Sequence, residues 1–194
     1  YSYPPEVMLS HSFYETHTEE FFDFYRDKML YLDAQPNAAH RKLAELEQAG
    51  KLSAVVSQNI DGLHQKAGSK NVFELHGSVH RNYCTRCHKF YDAEYMLHST
   101  GVPHCECGGI IKPDVVLYEE GLNQRTLSGA VEAIERADML IIGGTSLVVY
   151  PAASLVNYYS GRRLVLINRT ATPQDENADL VLKGSIGEIL DRIS

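Results

Sequence analysis

Apolar residues recur at intervals of three and four positions in two segments of the first fifty residues. Residues 16–32, THTEEFFDFYRDKMLYL, place aromatic side chains at this spacing, with Thr16 and Glu19 arranged as a capping box. Residues 35–50, QPNAAHRKLAELEQAG, have a proline near the start and Gly50 just past the last periodic residue. Both patterns predict amphipathic helices.

Farther along the chain, continuous apolar runs alternate with segments of helical spacing. The runs predict strands at 52–58, 72–77, 113–118, 138–147, 162–168 and 178–184. The helical spacing predicts helices at 124–137, 151–161 and 185–193. Strands without alternation, separated by helices, are typical of a parallel sheet that is buried on both faces. The pattern therefore predicts a doubly wound α/β fold, in which ligands bind beyond the carboxyl ends of the strands.

Composition and charge narrow the range of partners. The chain has 194 residues, which suits one domain, or one domain with a small insert. Its net charge is −7 and it has no block of basic residues, so we expect no direct binding of nucleic acid. It has no run of eighteen apolar residues, so we expect no segment that spans a membrane.

All four cysteines lie in a polar segment that interrupts the apolar pattern, and we interpret residues 81–111 as an inserted module. Disulfides of a secreted fold are seldom clustered in this way, whereas a metal site in a reducing compartment is. We therefore predict a cytoplasmic protein.

The spacing of the cysteines predicts their ligand chemistry. Cys84 and Cys87 form a C-x-x-C pair. After seventeen intervening residues, Cys105 and Cys107 form a tighter C-x-C pair. Two such pairs joined by a loop are typical of a zinc ribbon, and four thiolates leave no open position on the metal. We predict a structural zinc ion. The alternatives are four thiols without a metal, or one of two neighbouring histidines in place of a cysteine, His88 or His104.

Polar or small residues follow three of the predicted strands. Gln58, Asn59 and Asp61 follow the first, His76 follows the second, and Asn168 ends a later one. Such positions face the ligand crevice of a doubly wound fold. Each also has a structural explanation, because asparagine and aspartate are common in turns and at helix starts. The turn at 143–145, Gly-Gly-Thr, can approach phosphate or ribose closely, or can simply be a tight strand exit.

Six motifs then occur in a characteristic order: QNIDGLHQKAG, ELHGS, the paired cysteines, KPDVV, GTSLVVYPAA and INRTAT. In this the chain resembles the sirtuins, the NAD-dependent protein lysine deacylases, and most of all the compact bacterial ones. The resemblance runs from about Thr18 to the end of the chain. It implies a Rossmann-like NAD-binding domain formed by 1–80 and 112–194, with helices of 1–50 contributing to a small domain and 81–111 forming its zinc ribbon.

The resemblance also implies a reaction. The substrate is an acylated lysine of a protein, whose acyl oxygen attacks the anomeric carbon of the nicotinamide ribose and releases nicotinamide. The other product is O-acyl-ADP-ribose. His76 matches the general base of the family, which suits an imidazole with a pKa near neutrality. Asn59 and Asp61 match catalytic residues that line the nicotinamide and ribose pocket.

Further residues are assigned to ligands by the same resemblance. The residues that match the NAD site are Gln58, Asn59, Ile60, Asp61, Gly144, Thr145, Ser146, Asn168, Arg169, Thr170 and Ile186. The residues that match the extended segment pairing with the substrate backbone are Val116, Leu117 and Tyr118.

The first predicted helix bears on the choice of acyl group. Family members that prefer succinyl- or malonyl-lysine carry Tyr-x-x-Arg on this helix, and the matching positions here are Phe22 and Tyr25. Arg26 lies about 100° farther round the helix and should face elsewhere. We therefore expect neutral acyl groups, acetyl above all. The two aromatic residues can equally be ordinary core residues, which is compatible with that expectation.

The chain departs from the family pattern in two places. The glycine-rich GAGxS motif and the PDFR motif do not occur in residues 1–194, and we expect them upstream of Tyr1 unless the chain is a degenerate homologue. Where the family often has Phe-Gly-Glu, this chain has Tyr118, Glu119 and Glu120, so Glu119 replaces a glycine. Two other functions therefore stay open: a non-catalytic module that binds ADP-ribose or a protein, and a protein ADP-ribosyltransferase.

Overall fold

The computed structural model describes all 194 residues, Tyr1–Ser194. The helices are α1 (Pro5–Met8), α2 (His11–Thr16), α3 (Thr18–Lys28), α4 (Ala38–Gln48), α5 (Leu63–Lys66), α6 (Ala93–His98), α7 (Gln124–Arg136) and α8 (Ile186–Asp191). The strands are β1 (Val55–Ser57), β2 (Val72–Glu74), β3 (Gly77–Cys84), β4 (Phe90–Tyr91), β5 (Ile111–Val115), β6 (Leu140–Gly143), β7 (Leu164–Asn168) and β8 (Leu180–Lys183). Two short 3₁₀ helices span Ala152–Tyr158 and Asp175–Asn177. None of the helices is both long and apolar enough to cross a membrane.

The chain divides into two compact units. The first unit consists of Tyr1–Ala34, Gln58–Gly62 and Glu74–Asn123. The second unit consists of Gln35–Ser57, Leu63–Phe73 and Gln124–Ser194. The domain boundaries that the family resemblance implies stay a prediction.

The helical part of the first unit contains α1, α2 and α3. The helix that was expected over 16–32 corresponds to α3, and α1 and α2 precede it. The chain breaks at His17, whose φ of −130° and ψ of 51° are not helical. The predicted capping box is wrong, because the Thr16 hydroxyl donates to the carbonyl of Ser12 at 2.7 Å and no side chain caps α3. The aromatic periodicity is nonetheless real, since the apolar face of α3 is buried in the core of this unit.

The first unit also contains three short antiparallel strands in the order β4-β3-β5. The strand expected at 113–118 therefore lies earlier, at β5, and pairs antiparallel with β3 instead of joining a parallel sheet. The register of the β3–β5 pair shifts between Gly77 and Asn82. Asn82 is fully buried there, and its amide donates to the carbonyls of Val79 and Tyr91 at 3.2 Å each. These bonds join this side chain of β3 to the backbone of its own strand and of β4.

The second unit contains the parallel sheet, in the order β6-β7-β8. The α/β class with parallel strands is thus confirmed. The helix α4 that the second periodic segment predicts starts at a capping box of Asn37 and His40, and Gly50 follows it with a φ of +72°. The helix expected after Pro151 forms, but as a 3₁₀ helix. Two apolar clusters, around Ile167 and around Leu166, fill the space between the sheet and its helices.

Candidate active site and metal centre

The four cysteines form one compact cluster in the first unit. Cys84 Sγ lies 3.4 Å from Cys107 Sγ, and Cys87 Sγ lies 3.6 Å from Cys105 Sγ. All four sulfur atoms lie within 4.8 Å of one another. A disulfide would bring two sulfurs to about 2.05 Å, whereas a tetrahedral zinc ion with bonds of about 2.3 Å separates them by about 3.8 Å. The predicted ligand set therefore fits zinc, and neither flanking histidine belongs to it.

The backbone around Cys84 suits a thiolate. The N–H groups of Cys87 and Arg86 both point to Cys84 Sγ at 3.4 Å, and they lower the pKa of this thiol to about 6. A Cβ at Gly109 would lie 2.6 Å from the same sulfur, so only glycine leaves room for it. Donors that stabilise an anionic sulfur, together with a glycine that makes space for it, are what a knuckle around a metal requires.

A loop after β1, Gln58–Gly62, carries the predicted catalytic Asn59 and Asp61. Three of its carbonyl groups are bound by donors from the segment 76–80. The ring of His76 donates to Gln58, the N–H of Val79 donates to Ile60, and the ring of His80 donates to Asp61, at distances of 2.9, 3.0 and 3.0 Å. The backbone of this loop is therefore fixed from one side along its whole length.

His76 lies in the two-residue turn between β2 and β3 and is half-buried. Its Nδ1 faces the carbonyl oxygen of Gln58, which can only accept a hydrogen bond, so Nδ1 carries the proton. In a neutral imidazole the other nitrogen, Nε2, then has a free lone pair. The backbone thus selects the tautomer in which Nε2 can act as a base.

Gly77 explains why the chain can turn next to His76. Its φ is +78°, and a Cβ at this position would overlap the carbonyl oxygen of Asp114 on the paired strand. The carbonyl of His76 in turn accepts the N–H of Val116 at 2.9 Å. The close approach of these backbones places the histidine beside the segment that was predicted to bind the peptide.

Part of that segment, 116–118, is bound to the helical part of the same unit. The N–H of Tyr118 donates to Leu9, and its carbonyl accepts the N–H of His11, both at 3.0 Å. The N–H of Leu117 donates to a carboxylate oxygen of Glu120 at 3.0 Å. These contacts hold the segment extended.

Glu119 takes a conformation that glycine normally adopts, with a φ of +75°. Its carboxylate accepts the N–H of Ser12 at 2.8 Å and the Ser12 hydroxyl at 2.9 Å. Because Ser12 lies in the first turn of α2, the carboxylate also meets the positive end of the helix dipole. These bonds offset the strain of roughly 1 to 2 kcal/mol that a left-handed residue other than glycine carries.

The second unit brings together the residues predicted for the adenosine side of NAD. Gly144–Ser146 follow β6, Asn168 ends β7, and the amide of Asn168 donates to the carbonyl of Thr145 at 3.0 Å. A Cβ at Gly143 would overlap the side chain of Ile186. Parallel strands end at one edge of their sheet, so these residues form the crevice where a dinucleotide fold binds its ligand. Arg169 and Thr170 follow as exposed residues. This small-residue turn beside an amide fits the ribose and phosphates of NAD.

The two aromatic residues predicted for the acyl pocket lie in the core of the first unit. Phe22 and Tyr25 are both 0% exposed, and the Tyr25 hydroxyl has no hydrogen-bond partner. Burial raises the pKa of Tyr25, so the phenol stays neutral. Arg26 points elsewhere, as expected. Its guanidinium donates to Ser99, Gly101 and Asp23.

Two contacts of this unit were not apparent from the sequence. His80 and the pair of Ser12 with Glu119 join residues that lie far apart along the chain, and neither belongs to a motif of fixed spacing. The glycine at 62, next to Asp61, is the one local signal. Its φ is +68°, and a Cβ there would lie 2.7 Å from His80 Cδ2.

Comparison with known proteins identifies the family. The family model described as the Sir2 family matches residues 2–151, which is more than half of the chain. The chain belongs to the Sir2 family. A curated relative from Clostridium acetobutylicum, named NAD-dependent protein deacetylase, is 62% identical over 195 residues, covering 100% of this chain and 80% of the relative.

Solved structures of Sir2 proteins have the same fold. A structure of Sir2 with a p53 peptide and NAD+ is 41% identical, with a TM-score of 0.90, and the match covers 99% of this chain and 82% of that one. A structure of Sir2 with the inhibitor EX-527, 2′-O-acetyl-ADP-ribose and deacetylated p53 peptide is 42% identical, with a TM-score of 0.90 and coverage of 96% and 83%. The resemblance seen in the sequence motifs is thereby confirmed.

Proposed function

We propose that this chain is an NAD-dependent protein deacetylase of the Sir2 family. It removes acetyl groups from lysine side chains of proteins and yields nicotinamide and O-acetyl-ADP-ribose. The names and ligands of the similar proteins support this function, since they include NAD, a peptide of a protein substrate and acetyl-ADP-ribose. Because the acyl group ends on ADP-ribose, the enzyme is formally a transferase.

The observation that carries the proposal is the hydrogen bond between Nδ1 of His76 and the carbonyl of Gln58. With its Nδ1 proton held by that carbonyl, the imidazole presents Nε2 as a base. A histidine retained only for stability would not need this nitrogen free. His76 takes the proton of a ribose hydroxyl. Because the hydrogen bond already orients the ring, little conformational entropy is lost when the proton is transferred.

The remaining roles follow the two groups of residues described above. Bound NAD supplies the nicotinamide leaving group and the ADP-ribose that accepts the acyl group. Asn59 and Asp61 line the nicotinamide and its ribose, with Gln58 and Ile60 completing the loop. The turn Gly144–Ser146 holds the ribose and phosphates. The residues that hold the adenosine are Asn168, Arg169, Thr170 and Ile186. The segment Val116–Tyr118 lies beside the peptide.

The zinc site supports the fold and takes no part in the chemistry. Four thiolates fill a tetrahedral shell, so the metal has no position left for a substrate or an activated water. We propose that residues 81–111 form a zinc-ribbon insert in a Rossmann-like domain made of 1–80 and 112–194. Four clustered thiols also favour a reducing compartment, and we propose a cytoplasmic location.

The acyl group that the enzyme removes is neutral. Phe22 and Tyr25 carry no charge, and the guanidinium of Arg26 is already bound by Ser99 and Gly101. A carboxylate on the acyl group would therefore be desolvated without a partner, which costs several kcal/mol.

Replacement of His76 tests the function. We expect His76→Ala to lower the turnover of an acetylated peptide by about a hundredfold or more, as for the loss of a general base. The melting temperature should change by no more than a few degrees, because the half-buried ring makes one bond to a backbone carbonyl. The control is His98→Ala, which removes an imidazole that is 78% exposed and should leave turnover unchanged.

The products decide between the proposed function and the alternatives. Nicotinamide together with acetyl-ADP-ribose supports deacetylation. Transfer of ADP-ribose to protein would instead indicate an ADP-ribosyltransferase, and binding of ADP-ribose without any product would indicate a binding module. Normal turnover of the His76→Ala variant, or its unfolding, would contradict the role of the base.

A further inference from the structure

We infer that His80 is a positioning residue for the Gln58–Gly62 loop, and that it acts through a hydrogen bond from its ring to the backbone of Asp61. This inference rests on the proposed function, because the loop carries Asn59 and Asp61. His80 itself is exposed and touches neither reacting group, so its effect is on the geometry of the loop.

Three hydrogen bonds of different kinds reach the loop from the segment 76–80. The one to Ile60 comes from the backbone of Val79, and any residue at that position would supply it. The one to Gln58 comes from His76, whose ring is also the base. Only the bond to Asp61 comes from a side chain without another task, that of His80. The last part of the loop is therefore held by a residue that can be changed without altering the base.

His80 is fixed at its backbone and at its ring. Its backbone N–H donates to the hydroxyl of Ser78 at 3.1 Å, and Ser78 is 2% exposed. The ring lies against Gly62, where a Cβ would come within 2.7 Å of Cδ2. With the backbone of His80 fixed by a buried serine and its ring packed on the glycine that follows Asp61, the side chain loses less entropy on forming its bond than a free surface residue would.

The chemistry of the bond separates His80 from His76. The carbonyl of Asp61 can only accept, so Nε2 of His80 carries a proton in the neutral ring. Protonation of the ring adds a proton at Nδ1 and leaves the Nε2–H in place. The positioning by His80 should therefore persist when the ring is charged, whereas the action of His76 as a base requires its neutral form.

Two substitutions separate the donor from the bulk of the ring. His80→Gln keeps a donor, because the glutamine Nε2 lies as many bonds from Cα as the histidine Nε2. His80→Leu keeps an apolar side chain and removes the donor. A 1 Å shift of a catalytic loop can cost up to about a hundredfold in rate, and one lost hydrogen bond on an exposed loop should cost about tenfold.

The experiment compares these variants with the wild type and with His98→Leu as the control. We expect His80→Leu to lower kcat/KM for NAD about tenfold, to leave KM for the acetylated peptide unchanged, and to speed amide hydrogen exchange in residues 58–62. We expect His80→Gln to recover kcat/KM to within about twofold. Its pH profile should match that of the wild type, although it has lost a titrating group.

Two results would overturn the inference. One is a His80→Leu variant with unchanged kinetics and unchanged exchange in the loop. The other is a His80→Gln variant as impaired as His80→Leu, which would assign the effect to ring packing on Gly62. A wild-type protein without deacetylase activity would refute the proposed function instead. Amide hydrogen exchange in residues 58–62 of the wild type, His80→Leu and His80→Gln, measured without substrate, would then still decide whether His80 holds the loop.

Discussion

The two units are stabilised in different ways. The first unit combines an aromatic helical core, short antiparallel strands and four clustered thiols with ion pairs, such as Arg81 with Glu74 and Asp114. The second unit is built on three parallel aliphatic strands packed against helices. Removal of metal should therefore act mainly on the first unit.

The two groups of predicted site residues differ in the same way. In the first unit, donors from His76, Val79 and His80 hold the carbonyls of one loop. In the second unit, the turn that follows β6 is held by the close packing of Gly143 on Ile186. The side-chain amide of Asn168 also donates a hydrogen bond to the carbonyl of Thr145. The first arrangement is sensitive to the loss of a donor, and the second to an increase in volume.

Removal of zinc should have the largest effect, and the first unit should lose stability while the second keeps it. A structural zinc contributes roughly 10 kcal/mol or more to the folding of a small ribbon. We expect one zinc per chain by elemental analysis. Chelation, or Cys84→Ser, should speed amide exchange in β3 while β7 stays protected. Lys89→Ala is the control, because it removes an exposed ion pair with Glu106 and a contact with the Tyr91 ring but no cysteine. Metal-free protein with a protected β3 would refute the role of the metal.

A methyl group at Gly77 should have the next largest effect. Gly77 and Gly50 both have positive φ, but a Cβ at Gly77 would overlap a carbonyl, whereas a Cβ at Gly50 meets no atom within 4 Å. We expect Gly77→Ala to lower the free energy of unfolding by at least about 4 kcal/mol, and Gly50→Ala by about 1 kcal/mol. Urea unfolding measures both. Equal losses would mean that the strands of the first unit can separate to admit a side chain.

The preference for a neutral acyl group over a charged one should have a smaller effect. We expect kcat/KM for an acetylated peptide to exceed that for its succinylated version at least about tenfold, which needs only ~1.4 kcal/mol. Competition between the two peptides in one reaction measures this ratio. Arg26→Ala should leave it unchanged, because that guanidinium is bound by Ser99 and Gly101. Equal removal of succinyl would show that a cation reaches the acyl group.

The pair of His11 and Glu120 should give the smallest effect. The hydrogen bond that the His11 ring donates to Glu120 raises the pKa of His11 above its usual 6.5. Burial acts to raise the pKa of Glu120, but the bonds from His11 and the Leu117 N–H outweigh it and hold that pKa below 4.5. The histidine contribution is full below pH 6.5 and is lost as the pH rises through the raised pKa. The glutamate contribution is full above pH 4.5 and is lost as the pH falls through the lowered pKa.

Both contributions are therefore present together between about pH 4.5 and pH 6.5. We expect His11→Ala to lower the melting temperature by about two degrees at pH 5.5, and by less at pH 8.5. Thermal scans at the two values measure the difference. His98→Ala, which loses an exposed pair with Glu94, is the control and should show a smaller dependence on pH. A larger loss at pH 8.5 would contradict the assigned direction of the pKa of His11.

Much of the fold could be predicted because its signals are local. The parallel strands β6, β7 and β8 follow from continuous apolar runs, and α4 and α7 from helical spacing. The cysteine cluster follows from two short spacings. The break at His17 and the 3₁₀ form of Ala152–Tyr158 were missed, because periodicity locates a helix but does not report its hydrogen-bond pattern.

The contacts that shape the site are harder to predict, because they are not local. The antiparallel pairing of β5 with β3 depends on a register shift near Gly77 that no spacing encodes. Glu119 stood out as a replacement for glycine, but its partner Ser12 is 107 positions away. Motifs identify the residues of the chemistry, and the pairing of strands decides which neighbours hold them.

The bonds on either side of His76 have a consequence for how this enzyme can diversify. Its ring binds the carbonyl of Gln58, and its own carbonyl binds the N–H of Val116, so backbone atoms form both links to the neighbouring segments. Backbone groups are the same whatever side chain a position carries. Leu117 is buried in the core, but the side chains of Val116 and Tyr118 are at least partly exposed and can be exchanged without moving His76. Peptide preference and proton transfer can thus be engineered separately at adjoining positions.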